Sequence, residues 1–235
     1  MRLIGMEKSH GRAKIDLFGC PLRCGYCTHN DSEWEEKDMM EVLEFLADPD
    51  VGDIYVGGAE PLLQRREIKE FMDRLSRMKD KRIVLKTSGY YPEELKETLG
   101  KVDLYVVEMK CPLDDIGCNA ELTGLSREKA GRYVENLGRT LDLLKGRQVR
   151  IWIRVIPGFV TPENIDGVGE SIQGRATEAV LLQFLSDPGN ERPFRGIDVP
   201  GPDESDMVKM GRRLINYVPK VIIRGEGFAN EFEAS

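Results

Sequence analysis

The stretch Ala13-Lys14-Ile15-Asp16-Leu17-Phe18-Gly19-Cys20-Pro21-Leu22-Arg23-Cys24-Gly25-Tyr26-Cys27 decides how the chain is read. Ala13–Phe18 reads as a short, apolar strand of a covered parallel sheet. It runs straight into three cysteines, Cys20, Cys24 and Cys27, spaced C-x3-C-x2-C. Thiolates crowded into one loop point to an iron–sulfur cluster, and ferredoxins hold four-iron clusters with four of them. Three would leave one iron of a [4Fe–4S] cluster without a protein ligand, open to a second molecule and able to pass it an electron. The alternative is zinc, with His29 as fourth ligand. Zinc sites usually show paired C-x2-C knuckles or a second Cys/His pair downstream, and no second knuckle follows here.

Working outward, similar runs recur at Asp53–Gly57, Arg82–Thr87, Leu104–Met109, Val149–Ile156 and Ala179–Leu185, with a further candidate at Lys220–Arg224. Helical patterns separate them. Ile68, Phe71, Met72, Leu75 and Met78 fall on one helical face after Pro61. Ala130, Tyr133, Val134, Leu137, Leu141 and Leu144 do so after Ser126, a candidate N-cap. Thr161-Pro162 reads as N-cap and first residue of another helix. Further helices are expected over Asp38–Ala47 and Glu204–Tyr217. Repeated β-α units of this kind mean right-handed crossovers and a parallel sheet. Six units fit, two short of a complete eight-unit barrel. The fold expected is therefore α/β, a partial (β/α)6 TIM-like barrel. No linker divides residues 1–235, so one domain is expected, with its core over about 11–185. Residues 186–235 would add a loop, a helix and the extra strand. Ser186–Asp203, rich in Pro and Gly, reads as a long loop near the active face or a mobile flap.

Composition narrows the function. Hydrophobic residues are 40% and charged residues 32% of the chain, an ordinary soluble balance. No apolar run approaches the roughly 20 residues of a membrane helix, and Met1–His10 lacks the apolar core of a signal peptide. No membrane partner and a cytoplasmic location are the expectation. A net charge of -7 argues against a nucleic-acid partner. Five cysteines, three of them within eight residues, do not form a disulfide framework and suit a reducing compartment.

Ligands of parallel α/β sheets bind at the carboxyl ends of the strands, and the unusual residues fall there. The cysteine loop follows the first strand and Gly58-Ala59-Glu60-Pro61 the second. Lys86-Thr87-Ser88-Gly89 ends the third, and Glu108-Met109-Lys110-Cys111-Pro112 the fourth. Arg154 and Gln183 lie near the ends of the fifth and sixth.

Cys20, Cys24 and Cys27, with aromatic Tyr26 before the last, together with the glycine-rich Gly57-Gly58-Ala59-Glu60-Pro61, give the chain a resemblance to the radical S-adenosylmethionine (SAM) superfamily. Within it, the chain looks most like the small activases of glycyl radical enzymes, above all the activators of anaerobic ribonucleotide reductase and, with them, of pyruvate formate-lyase. Tyr26-Cys27-Thr28-His29-Asn30, Glu60-Pro61-Leu62-Leu63-Gln64, Lys110-Cys111-Pro112-Leu113, Leu122-Thr123-Gly124 and Val155-Ile156-Pro157-Gly158 carry that resemblance.

The resemblance implies a [4Fe–4S] cluster on Cys20, Cys24 and Cys27, with SAM chelating the open iron. An electron from a reduced flavodoxin or ferredoxin then breaks a carbon–sulfur bond. The 5′-deoxyadenosyl radical so formed takes hydrogen from a glycine of a partner enzyme. Residue by residue, Tyr26 is placed to meet the adenine, and Gly58, Ala59 and Glu60 the methionine ammonium. Glu108 and Lys110 match an acidic-x-lysine pair that contacts SAM. Arg154 is a candidate for the SAM carboxylate or ribose, and Gln183 for ribose hydroxyls. Related activases carry an acidic residue where Lys86 stands, just before Thr87, where it helps hold a monovalent cation beside the SAM carboxylate. A lysine cannot ligate a cation, so its ammonium is expected to replace one, pairing with the SAM carboxylate or with Glu108.

Cys111 sits at the rim as a candidate second functional thiol; Cys118, His10 and His29 are given no role in the chemistry. Two other functions compete. One is a radical SAM enzyme acting on a small molecule, resembling 7-carboxy-7-deazaguanine synthases. The other, of a different class, is a non-catalytic metal-binding or redox-sensing module.

Overall fold

The computed structural model describes residues 1–234. It begins with a hairpin of β1 (Arg2–Ser9) and β2 (Arg12–Leu17), turned at His10 and Gly11. A two-residue strand, β3 (Glu35–Glu36), then precedes α1 (Met39–Leu46). Strands and helices alternate from there: β4 (Asp53–Gly58), α2 (Arg65–Leu75), β5 (Arg82–Thr87), α3 (Pro92–Lys96), β6 (Leu104–Met109), α4 (Ile116–Thr123), α5 (Arg127–Leu143), β7 (Val149–Val155), α6 (Ile165–Ile172), β8 (Glu178–Gln183), α7 (Glu204–Leu214), β9 (Lys220–Gly225) and β10 (Phe228–Glu233). The ten strands make one sheet in the order β10-β9-β8-β7-β6-β5-β4-β2-β1-β3. Every neighbouring pair from β2 to β9 is parallel, so the six β-α units expected from the sequence are present. The extra strand is β9, which extends the parallel run. β3 and β10 end the sheet as edges, so it does not close on itself.

Alternation along each strand sorts side chains between two faces. In β7, Val149, Ile151, Ile153 and Val155 are fully buried against the helices. Arg150, Trp152 and Arg154 project to the other face, into a cavity. The helix-facing side is one continuous apolar core. The cavity-facing side carries only a small apolar cluster, Val84, Leu104 and Val106, flanked by Tyr55 and Trp152. The sheet's cavity face is therefore lined by charged side chains where a full barrel would be packed.

Several helix starts follow their caps. The Asp38 carboxylate accepts from the Met40 N–H and the Ser126 hydroxyl from the Lys129 N–H. The expected start at Thr161-Pro162 is corrected to Ile165. Asn164 Oδ1 accepts from the Thr161 N–H, and its Nδ2 donates to the Phe159 carbonyl, which closes Thr161–Asn164 into a turn before the helix. α3 and α4 were not expected: the first has five residues, and the second buries only Asn119, Leu122 and Thr123. β1 and β10 were also missed, being half-exposed edge or hairpin strands without a continuous apolar run.

Candidate active site

The carboxyl ends of β2, β4, β5, β6 and β7 open into a cavity of about 540 Å³. Ten of the residues singled out from the sequence lie on its wall: Cys20, Cys24, Cys27 and Tyr26 from the cysteine loop, Gly58 and Ala59 after β4, then Lys86, Glu108, Lys110 and Arg154. The geometry of Gly58 explains how the loop and β4 meet. Its φ is +87°, and a Cβ there would lie 2.6 Å from the Leu17 nitrogen and 2.7 Å from its carbonyl oxygen. Only glycine allows that approach at that dihedral.

Glu60 and Thr87 are placed elsewhere. Glu60 is fully buried, and its carboxylate accepts from the Thr87 hydroxyl at 3.0 Å, the Ser88 N–H at 2.7 Å, the Ser88 hydroxyl at 2.5 Å and the Leu62 N–H at 3.1 Å. It ties the end of β4 to the end of β5 and caps the short 3-10 turn Pro61–Leu63. That corrects the expectation of a direct ammonium contact: the oxygens are consumed within the protein. Strand alternation turns Thr87 away from the cavity and leaves Ser88 on its wall.

Glu108 lies between two cations. Lys110 Nζ is 2.7 Å from Oε1 and Lys86 Nζ is 3.3 Å from Oε2, with all three side chains largely buried. Burial by itself would raise the Glu108 carboxyl, but Lys110, Lys86 and Arg154 outweigh it and hold the group well below the usual carboxylate range. Lys110 also donates to the Tyr26 hydroxyl at 2.9 Å. The Tyr26 ring is itself buried, edge-on to Phe184 and Phe194. The ring is thus held by the protein, and Tyr26 remains on the cavity wall within the cysteine loop.

Cys20, Cys24 and Cys27 carry free thiols. Burial pushes the Cys20 thiol up, with Glu60 adding to it, and burial does the same at Cys24. Without a metal the Cys20 and Cys24 thiols stay protonated, and coordination would release their protons. Among the described residues no three His, Cys, Asp or Glu side chains converge as a single ion requires. His29 Nδ1 approaches Cys27 Sγ alone, at 3.6 Å. Three free thiols spread along one cavity wall suit a cluster, whose thiolate ligands bind different irons.

Ser186–Asp203 lies partly across the cysteine loop as a strap. Asn190 accepts from the Thr28 N–H, Arg192 donates its N–H to the Tyr26 carbonyl at 2.9 Å, and the Thr28 hydroxyl donates to the Gly189 carbonyl at 2.9 Å. Glu191 anchors it, pairing with Arg154 and accepting from the Leu185 N–H. Arg154 is therefore paired with Glu191 while it lines the cavity, so a use toward the SAM carboxylate or ribose would compete with the strap. Gln183 is likewise engaged, donating to the Pro202 carbonyl and accepting from the Glu226 N–H.

Sequence reasoning gave no role to Tyr55, Trp152 and Glu191. The first two were readable as the alternate residues of assigned strands; Glu191, from a loop without periodicity, was not. Cys111 and Cys118 are joined in a disulfide with Cα atoms 6.2 Å apart, so Cys111 is not a free second thiol at the rim. Neither lies on the cavity wall.

The chain is similar to known proteins. The chain is 25% identical over 223 residues to a protein of Methanocaldococcus jannaschii provisionally named a glycyl-radical enzyme activating enzyme, covering 90% of this chain and 88% of that one. It is 23% identical over 180 residues to a 7-carboxy-7-deazaguanine synthase of Clostridium acetobutylicum, covering 68% and 80%. A structure of TYW1 with a lysine-pyruvate adduct bound superposes with a TM-score of 0.62 at 14% identity, covering 93% and 78%, which speaks for the fold. The profile of the Radical SAM superfamily matches residues 15–170. Three free thiols on a strand-end loop, at the cavity of a parallel (β/α)6 sheet and inside that match, make this chain a member of the radical SAM superfamily, whose enzymes use a [4Fe–4S] cluster and SAM.

Proposed function

We propose that the protein is an activase that removes a hydrogen atom from a glycine of a partner glycyl radical enzyme. The observation that carries this reading is the length of the cavity. It runs from the cysteine loop down to Ser9, His10 and Arg12 at the amino ends of the strands, beside the open edge of the sheet. Six strand residues span about 20 Å, which suits an extended segment of polypeptide. The near full-length likeness to a protein named for glycyl-radical enzyme activation supports it.

When bound, the cluster and SAM supply a 5′-deoxyadenosyl radical, the electron coming from a reduced flavodoxin or ferredoxin. Cys20, Cys24 and Cys27 hold the cluster. The backbone of Gly58 and Ala59 takes the methionine ammonium, and Tyr26 meets the adenine through its backbone. Lys86 and Lys110 bring two positive charges to the wall around Glu108, and the Lys86 ammonium stands where a monovalent cation would balance the SAM carboxylate. The strap Ser186–Asp203 covers the cysteine loop and limits water there.

A second reading is a small-molecule enzyme resembling 7-carboxy-7-deazaguanine synthases. The near-parallel rings of Tyr55 and Trp152, 6.2 Å apart, are the observation that favours it. The test is anaerobic reconstitution with iron, sulfide and SAM, followed by electron paramagnetic resonance in the presence of candidate glycyl radical enzymes. A glycyl doublet with stoichiometric 5′-deoxyadenosine is expected. Turnover of a flat heterocyclic small molecule, with pterin as the probe, and no glycyl signal would favour the second reading.

A further inference from the structure

Beneath Glu108, two buried polar atoms on the cavity wall have no partner within the protein: the Tyr55 hydroxyl and Asp16 Oδ1. The other oxygen of Asp16 is satisfied, accepting from Lys14 at 2.8 Å. Buried polar groups are nearly always paired, and an unpaired one is costly. Two such atoms on one wall call for a ligand.

Their position is fixed by packing. Asp16 and Gly57 are register partners on β2 and β4. A Cβ on Gly57 would lie 2.7 Å from Tyr55 Cε1, so the Tyr55 ring leans over Gly57, toward Asp16 and the strand ends. Its other side is set by Trp152, at an interplanar angle of 23°, and Trp152 in turn lies under Lys86 Nζ at 5.2 Å. Burial, then the nearby Glu108 and Asp16, push the Tyr55 phenol above its ordinary value, so it remains a proton donor. One donor and one acceptor on the same cavity wall, beside the Trp152 ring, complement a group that offers a carbonyl oxygen and an N–H together.

We propose that Tyr55 and Asp16 form an amide-reading pair: the Tyr55 hydroxyl donates to a carbonyl, and Asp16 Oδ1 accepts from the N–H, of the unit presented for hydrogen abstraction. This rests on the activase reading and deepens it, because a glycine residue offers one N–H and one carbonyl with no side chain to clear. A lactam of a flat heterocycle offers the same chemistry from another source, and the experiment separates the two.

Equilibrium dialysis of the cluster-loaded protein with SAM reads binding of three labelled probes: acetylglycine methylamide, its sarcosine analogue without the glycine N–H, and pterin. The expected result is that the wild type prefers the glycine probe over the sarcosine probe by about three- to tenfold, the worth of one hydrogen bond. That preference vanishes in Asp16→Ala, while Tyr55→Phe weakens both probes by a similar factor. Cluster absorbance and thermal melting confirm that each variant is folded and loaded. If pterin binds with the same dependence on both residues and the glycine probe does not, the pair stands and the activase reading falls. If the wild type shows no preference, or neither substitution changes binding, the pair is refuted, and the glycyl-radical experiment still decides the activase reading by itself.

Discussion

Replacing Lys86 tests the electrostatics of the site most directly. Its ammonium is 3.3 Å from Glu108 Oε2, and both side chains are mostly buried, 14% and 16% exposed. At an effective dielectric constant of about 20, charges at that distance attract by about 5 kcal/mol before desolvation. Desolvation cancels most of it, and Glu108 keeps Lys110 at 2.7 Å, so the loss in Lys86→Met is smaller than for an orphaned buried charge. We expect about 1–2 kcal/mol of stability, a melting point lower by about 2–8 °C for a chain of this size. The loss in SAM binding is larger, about ten- to a hundredfold, as for a charge-assisted hydrogen bond. The assay is anaerobic titration of SAM into the cluster-loaded protein in potassium, sodium or choline chloride at constant ionic strength. The parent protein should bind SAM equally in all three salts, and Lys86→Asp should recover affinity in potassium or sodium but not in choline. Parent affinity that rises with potassium or sodium, or Lys86→Met binding SAM as tightly as the parent, would refute the reasoning.

Gly58→Ala should be far more damaging than its size suggests. It combines a strained positive φ with overlap against the Leu17 backbone, and a loss above about 3 kcal/mol is expected in urea melts. Glu191→Gln weakens the grip of Arg154 on the strap; hydrogen exchange should quicken at residues 25–28 and 186–195 and stay unchanged in β5 and β6. The depressed Glu108 carboxyl contributes stability that is present above its unfolded value of about 4.3 and is lost as pH falls through the lower folded value. Glu108→Gln should therefore show its largest deficit near neutral pH and converge on the parent in acid, read as urea midpoints between pH 7 and pH 3.

Seven strands were legible because parallel strands covered by helices must be short and apolar, as Val149–Val155 and Leu104–Met109 are. The edge strands β1 and β10 carry no such constraint and left no clear signal. The three cysteines and the rim residues Lys86, Glu108 and Lys110 were legible because strand ends gather at one side of a parallel sheet, whatever the packing. The roles of individual carboxylates were not. Glu60 stands in a motif that resembles a ligand contact, yet its oxygens are taken by Thr87 and Ser88, residues brought beside it only by the register of β4 and β5.

The sequence by itself determined the alternation of strands and helices and the cysteine loop, because periodicity and spacing are local properties of the chain, and its motifs carried the resemblance to the family. Tertiary structure decided which polar groups remain free. Arg154 went to Glu191, and Cys111 to Cys118. Asp16 and Tyr55, unremarkable in sequence, kept unpaired atoms and lie on the cavity wall. The physical reason is that a buried hydrogen bond depends on which groups the folded chain brings within about 3 Å, and residues as far apart as 154 and 191 meet only once the sheet is built.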